Sequence, residues 1–280
     1  MSWYSLFIPY SATGEFEVIA DTLQSQLAAH GYTAYDPFPG GTGTPPRQHQ
    51  TVRVFVAPPS DGWVCILGQP DESLLPEFSQ KLGLPVIYGW LTDDDGGFAV
   101  YRDGSRRDDP EAFEPYLQPD KSLDLLKQAL EGKLAVPAVE PPGAPIAGVS
   151  LDALPPDIQQ LARERGVKPE QAESLAQRLS ANLFGKLSGK RSEQEQARAV
   201  VMGGSHDPWN SLHGQRIRAI ASVLNLPGNW RTPSWEMVRD AYHVQRLRQR
   251  NPLTPLIPGD QEALEAVPDV MAYQPIYMGR

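Results

Sequence analysis

Thr51-Val52-Arg53-Val54-Phe55-Val56-Ala57 is the stretch from which the fold of this 280-residue chain can be read. Val52, Val54 and Val56 alternate with Arg53 and Phe55, and a period of two sends each set to its own face of a strand. On the N-terminal side, Phe16, Ile19, Ala20, Leu23 and Leu27 recur at helical spacing within residues 16–29. Gly31 then suits the left-handed residue that closes a helix. Residues 5–10 read as a short strand before that helix and 32–38 as another after it, followed by a loop rich in glycine and proline at 39–46. On the C-terminal side the same order returns. Residues 63–67 form a strand, and 71–82 form a helix carrying Leu74, Leu75, Phe78 and Leu82. Residues 85–91 and 98–102 form two more strands. Asp93-Asp94-Asp95-Gly96-Gly97 joins the last two, with glycines that supply the positive φ of a tight hairpin. An amphipathic helix at 122–131 completes this half.

The reading is an α+β protein: an N-terminal two-layer domain of duplicated βαββ units with an antiparallel sheet, followed by an all-α helical domain. The order of elements resembles that of small ligand-binding domains built from duplicated βαββ units, such as the GyrI-like group. That resemblance implies a cleft between helices and sheet. Trp63, Tyr88, Trp90 and Tyr101 are the candidates to line it. The competing reading is ordinary sheet core, because aromatic side chains favour strands in any case.

Charge divides the chain. Residues 1–150 carry 9 Lys+Arg against 20 Asp+Glu, a net of −11, and residues 151–280 carry 16 against 14, a net of +2. Between the halves, residues 134–156 hold six prolines and no hydrophobic periodicity. The expected organisation is therefore an acidic α+β domain at 1–133, a Pro-rich linker at 134–156, and a basic helical domain at 157–280 with a Pro- and aromatic-bearing tail. The tail, with Leu256, Ile257, Tyr273, Ile276 and Tyr277, is too apolar to float free and is expected to wrap its own domain or a partner. No apolar run approaches membrane length, the N-terminus shows no signal-peptide pattern, and Cys65 stands alone. A cytoplasmic protein without disulfides is the expectation.

In the second half, residues 156–166 and 169–187 read as two helices with helix-turn-helix spacing at Ala162, Gly166 and Val167. Glu170 and Glu173, at the start of the second, oppose phosphate. A stronger electrostatic feature lies downstream, where residues 178–250 hold 12 Lys+Arg against 5 Asp+Glu. A helix with Thr232 as N-cap and Pro233 in its first turn places Arg239, His243, Arg246 and Arg250 on one face. Arg216 and Arg218 project from the helix before it. These six residues are the candidate contacts for nucleic acid or an acidic protein partner, and the acidic half of the same chain competes for them.

Catalysis and metal binding have little support. Gly203-Gly204-Ser205-His206-Asp207 holds the residue types of a hydrolytic triad, but neighbours in sequence do not orient in series as nucleophile, base and orienter. Asp93, Asp94 and Asp95 lack the alternating ligands of a calcium loop. No Walker loop is present, and no cofactor or metal is expected. The functional expectation is a non-enzymatic interaction protein whose basic helical domain docks nucleic acid or an acidic partner. The alternatives are a small-ligand-sensing module with a cleft in the N-terminal domain, and an undeclared hydrolase.

Overall fold

In the computed structural model of the chain, residues 2–10, 16–42, 50–136 and 208–280 are described. Met1–Val136 and Leu212–Arg280 form one compact unit, and Pro137–Ser211 form a second. The described part of the second unit is a 3-10 turn, Pro208–Asn210, with Ser211. The helix-turn-helix candidate and the Gly203–Asp207 stretch lie outside the described residues.

The first unit is α+β. Among the described residues its strands are β1 (Trp3–Pro9), β2 (Thr33–Ala34), β3 (Thr51–Val56), β4 (Trp63–Leu67), β5 (Val86–Leu91), β6 (Gly96–Arg102), β7 (Ser105–Arg107) and β8 (Gln274–Gly279). They form one sheet in the order β2-β8-β3-β4-β1-β5-β6-β7, and every pairing is antiparallel. The helices are α1 (Phe16–Ala29), α2 (Leu75–Leu82), α3 (Leu123–Leu130), α4 (Leu212–Ala221), α5 (Trp235–Arg250) and α6 (Pro258–Ala266).

The alternation in β3 splits the core in two. Val52, Val54 and Val56 share one face with Leu6, Ile8, Val64, Ile66 and Ile276, and that face is closed by Ile19, Leu23 and Leu27 of α1 and by Leu75 and Phe78 of α2. Phe55 points to the other face, where it packs with Leu67, Tyr277 and, from α5, Val238 and Tyr242. Farther along that second face, Trp3 meets Phe98 and Trp230 at ring separations of 6.3 and 5.4 Å. Helix α4 packs on β5 and β6, and α5 packs on β3.

Two expectations change here. The sheet is covered on both faces, giving three layers rather than two, because Phe7, Phe55, Ile87 and Phe98 on the second face need a cover of their own. That cover comes from α4 and α5, which were expected to stand in a separate helical domain, and the tail supplies β8 between β2 and β3. The two βαββ stretches also pair differently. In the second, β5 pairs β6 directly, whereas in the first β8 separates β2 from β3.

Helix α5 begins two residues later than its sequence suggested. Ser234 is the N-cap, its hydroxyl accepting the Met237 N–H at 3.3 Å, so the cap is the residue after Pro233 rather than Thr232 before it. At its far end, Arg246 ties α5 to Asp36, in the loop after β2.

Candidate functional site

Register sets the floor of the site. Arg53 on β3 lies directly opposite Tyr277 on β8, so a cation and a phenol project together from the second face of the sheet. Helix α5 supplies the roof with Trp235, Arg239 and His243, spaced four apart along one side of the helix. The loop after β2 closes the end with Tyr35, Pro37 and Phe38. Between them is a cavity of about 290 Å³, also reached by Asp240.

The walls are aromatic and tightly arranged. Phe38 meets Tyr277 edge-on at 5.2 Å and Tyr242 at 4.7 Å, and Tyr35 meets Tyr277 at 5.9 Å and 88°. Such edge contacts fix ring positions as well as burying area. Gly68, at the end of β4, lets the indole of Trp235 approach the sheet. A Cβ there would lie 2.5 Å from the Arg53 carbonyl oxygen and 2.6 Å from Trp235 Cδ1.

The polar groups are set out unevenly. Arg53 Nε donates to the Tyr35 hydroxyl at 3.0 Å. The Arg239 guanidinium stacks over Trp235 at 5.0 Å and pairs with Asp240 at 2.7 Å. The Tyr277 hydroxyl oxygen is buried and, among the described residues, has no hydrogen-bond partner. Burial raises its pKa well above the ordinary tyrosine value, while the nearby Arg239 pulls it down. The phenol is therefore a neutral donor. A buried donor left unmade costs about 1–3 kcal/mol.

The six residues expected to form a basic surface are dispersed. Arg239 and His243 reach the cavity. Arg246 turns to Asp36, Nη2 to Oδ2 at 3.0 Å, and stacks on Tyr242 at 5.9 Å. Arg250 is exposed at the end of α5. Arg216 and Arg218 sit on α4, over β5 and β6, three and four strand spacings or roughly 14–19 Å from β3. There Arg216 lies near Asp95, whose pKa is lowered chiefly by the Trp90 hydrogen bond and in smaller part by His213 and Arg216.

The expected aromatic cleft does not assemble. Tyr88, Trp90 and Tyr101 share the first face, Tyr88 stacked on Trp90 at 5.2 Å. Trp63 is on the second face against Tyr116, because odd positions of β4 point away from Val64 and Ile66. Tyr88 and Tyr101 are 4% and 1% exposed, so they are core rather than lining. Their neighbours are occupied too. Tyr101 donates to Glu72 at 2.9 Å, Trp90 donates to Asp95 at 3.0 Å, and Arg106 covers the Trp90 ring.

Sequence reasoning missed Tyr35, Phe38, Arg53, Trp235 and Tyr277. The one local signal was Arg53 itself, a charge set among valines on a strand with a hydrophobic partner on either side.

Among the described residues no three His, Cys, Asp or Glu side chains gather as metal ligands. No described helix is long and apolar enough to cross a membrane. Compared with models of protein families, with curated proteins and with solved structures, the chain matches none.

Proposed function

We propose that this chain is a non-enzymatic binding protein that holds a small ligand in the cavity between α5 and the β3–β8 pair. The observation that carries this reading is the buried Tyr277 hydroxyl, without a partner among the described residues, in the wall of a cavity lined also by Arg53, Arg239 and Trp235. Concave sites with apolar walls and a few convergent polar groups are where small molecules bind. At about 290 Å³, the volume lies at the small end of such sites, which suits a single ring or a short chain with a polar head.

Docking of nucleic acid or an acidic protein along α5 has less support. Arg246 is engaged with Asp36 and Arg239 is turned into the cavity beside Asp240, which leaves exposed His243, Arg248 and Arg250 as its basis. A stripe already neutralised in this way contacts fewer phosphates and has a shallower salt dependence.

The test is a fragment screen by NMR on the full-length chain, following the indole N–H signals. Hits that move the Trp235 signal, and lose that effect in Tyr277→Phe, are the expected result. A screen whose hits all map elsewhere, or that yields none, refutes the reading.

A further inference from the structure

The charges at this cavity define the class of ligand it takes. Arg53 and Arg239 contribute two positive charges and Asp240 one negative, so these three groups give the lining 2 − 1 = +1. That balance matches a monoanion. A dianion meets the Asp240 carboxylate without a third fixed cation to offset it. The donors match as well. Among the described residues the Tyr277 hydroxyl lacks an acceptor, and Tyr35 already accepts from Arg53 Nε, so its own proton points elsewhere. A carboxylate offers two oxygens with several lone pairs and accepts side by side from guanidinium and phenol. The remaining wall is flat and apolar: Phe38, Tyr277 and the Trp235 indole.

From this geometry, and resting on the binding function argued above, we infer that the cavity takes a small aromatic monocarboxylate, its carboxylate held by Arg53, Arg239 and Tyr277 and its ring against Phe38 and Trp235. The volume excludes a nucleotide or a large cofactor lying wholly inside. The carboxylate offers an acceptor to the Tyr277 hydroxyl, a buried donor without a partner among the described residues. The Arg53–Tyr35 and Arg239–Trp235 contacts hold both guanidiniums in place before the ligand arrives, which lowers the ordering cost of binding.

Isothermal titration of the full-length chain with four probes tests this: benzoate, its neutral isostere benzamide, phenyl phosphate and inorganic phosphate. Benzoate is expected to bind with a Kd of about 1 mM or tighter, within reach of a ligand of its size. Benzamide is expected to bind about tenfold more weakly or worse, as is benzoate to Arg53→Gln or Arg239→Gln, since each change removes a charge-assisted contact. Arg239→Lys keeps the charge without the fork and is expected to recover part of the loss. Thermal melts of each variant separate lost binding from lost folding. Equal binding of benzoate and benzamide, or tighter binding of phenyl phosphate than of benzoate, overturns the monocarboxylate class while leaving the cavity as a binding site. Binding of inorganic phosphate alone overturns the aromatic part. Failure of all four probes, together with fragments of other chemistry that still move the Trp235 signal, rejects the class but not the function. Failure of all four with a silent Trp235 rejects both.

Discussion

Asp36 and Arg246 lie 210 residues apart in sequence and meet at 3.0 Å, Oδ2 to Nη2. The second oxygen of the same carboxylate accepts the Phe38 N–H at 2.9 Å. One carboxylate thus fixes both the loop that walls the cavity and the helix that roofs it. Both side chains are shielded, at 33% and 23% exposure, so the pair contributes more than a typical surface contact. A double-mutant cycle with Asp36→Asn and Arg246→Gln should give a coupling of about 1 kcal/mol in urea denaturation. A coupling indistinguishable from zero would mean that the loop is held by its apolar contacts alone.

The acidic half should not fold without the end of the sequence. β3 pairs β8 over six residues, Thr51 with Gly279 through Val56 with Gln274, and the buried Phe55 depends on Val238 and Tyr242. A fragment of residues 1–136 is expected to lack a cooperative thermal transition. Mixing it with a fragment of residues 212–280 should restore one, and circular dichroism reads both. A sharp melt from residues 1–136 alone would show that β8 and α5 are dispensable.

Gly68 tolerates no side chain. Its φ is +107°, and a Cβ would strike the Arg53 carbonyl and Trp235. Gly68→Ala should cost roughly 2–4 kcal/mol, combining backbone strain with overpacking. The indole must then move, so Trp235 fluorescence should shift in the folded state. An unchanged spectrum with unchanged stability would mean that the β4 end is more compliant than its packing indicates.

Acid should weaken the fold partly through Glu77. Hydrogen bonds from Lys81 and then His30 hold its carboxyl down to about 2, against an ordinary value of 4.5. A group with a depressed folded pKa contributes stability above its unfolded pKa and loses it as pH falls through the folded one. That loss should therefore run from about pH 4.5 to about pH 2. Glu77→Gln should lower stability near neutrality towards its acid value and so flatten this part of the stability curve. An identical acid limb in the variant would assign the pH dependence to other carboxyls.

Local pattern was legible where the chain is regular. The helix over 16–29 and the strand over 63–67 fall where periodicity puts them, and the buried set of α1 contains Ile19, Ala20, Leu23 and Leu27. Likewise Ile217, Ile220, Ala221 and Leu224 are all buried as their spacing implies. Strand β8 was not legible. It is six residues long and contains Pro275, which reads as a breaker. The proline is accommodated because β2 covers only Met278 and Gly279, so β8 has a single strand neighbour at Pro275. The cavity was hidden for a related reason. Arg53 and Tyr277 are brought together by a pairing that no nearby sequence encodes, and without it Arg239 and His243 look like part of a solvated stripe.

The position of β8 also sets a clock on biosynthesis. Thr51 leaves the ribosome 228 residues before its partner Gly279 (279 − 51). At about 5–20 residues per second, strand β3 waits roughly 10–45 s for that neighbour. Through that interval a valine-rich edge stands without its neighbour and is open to pairing with other strands.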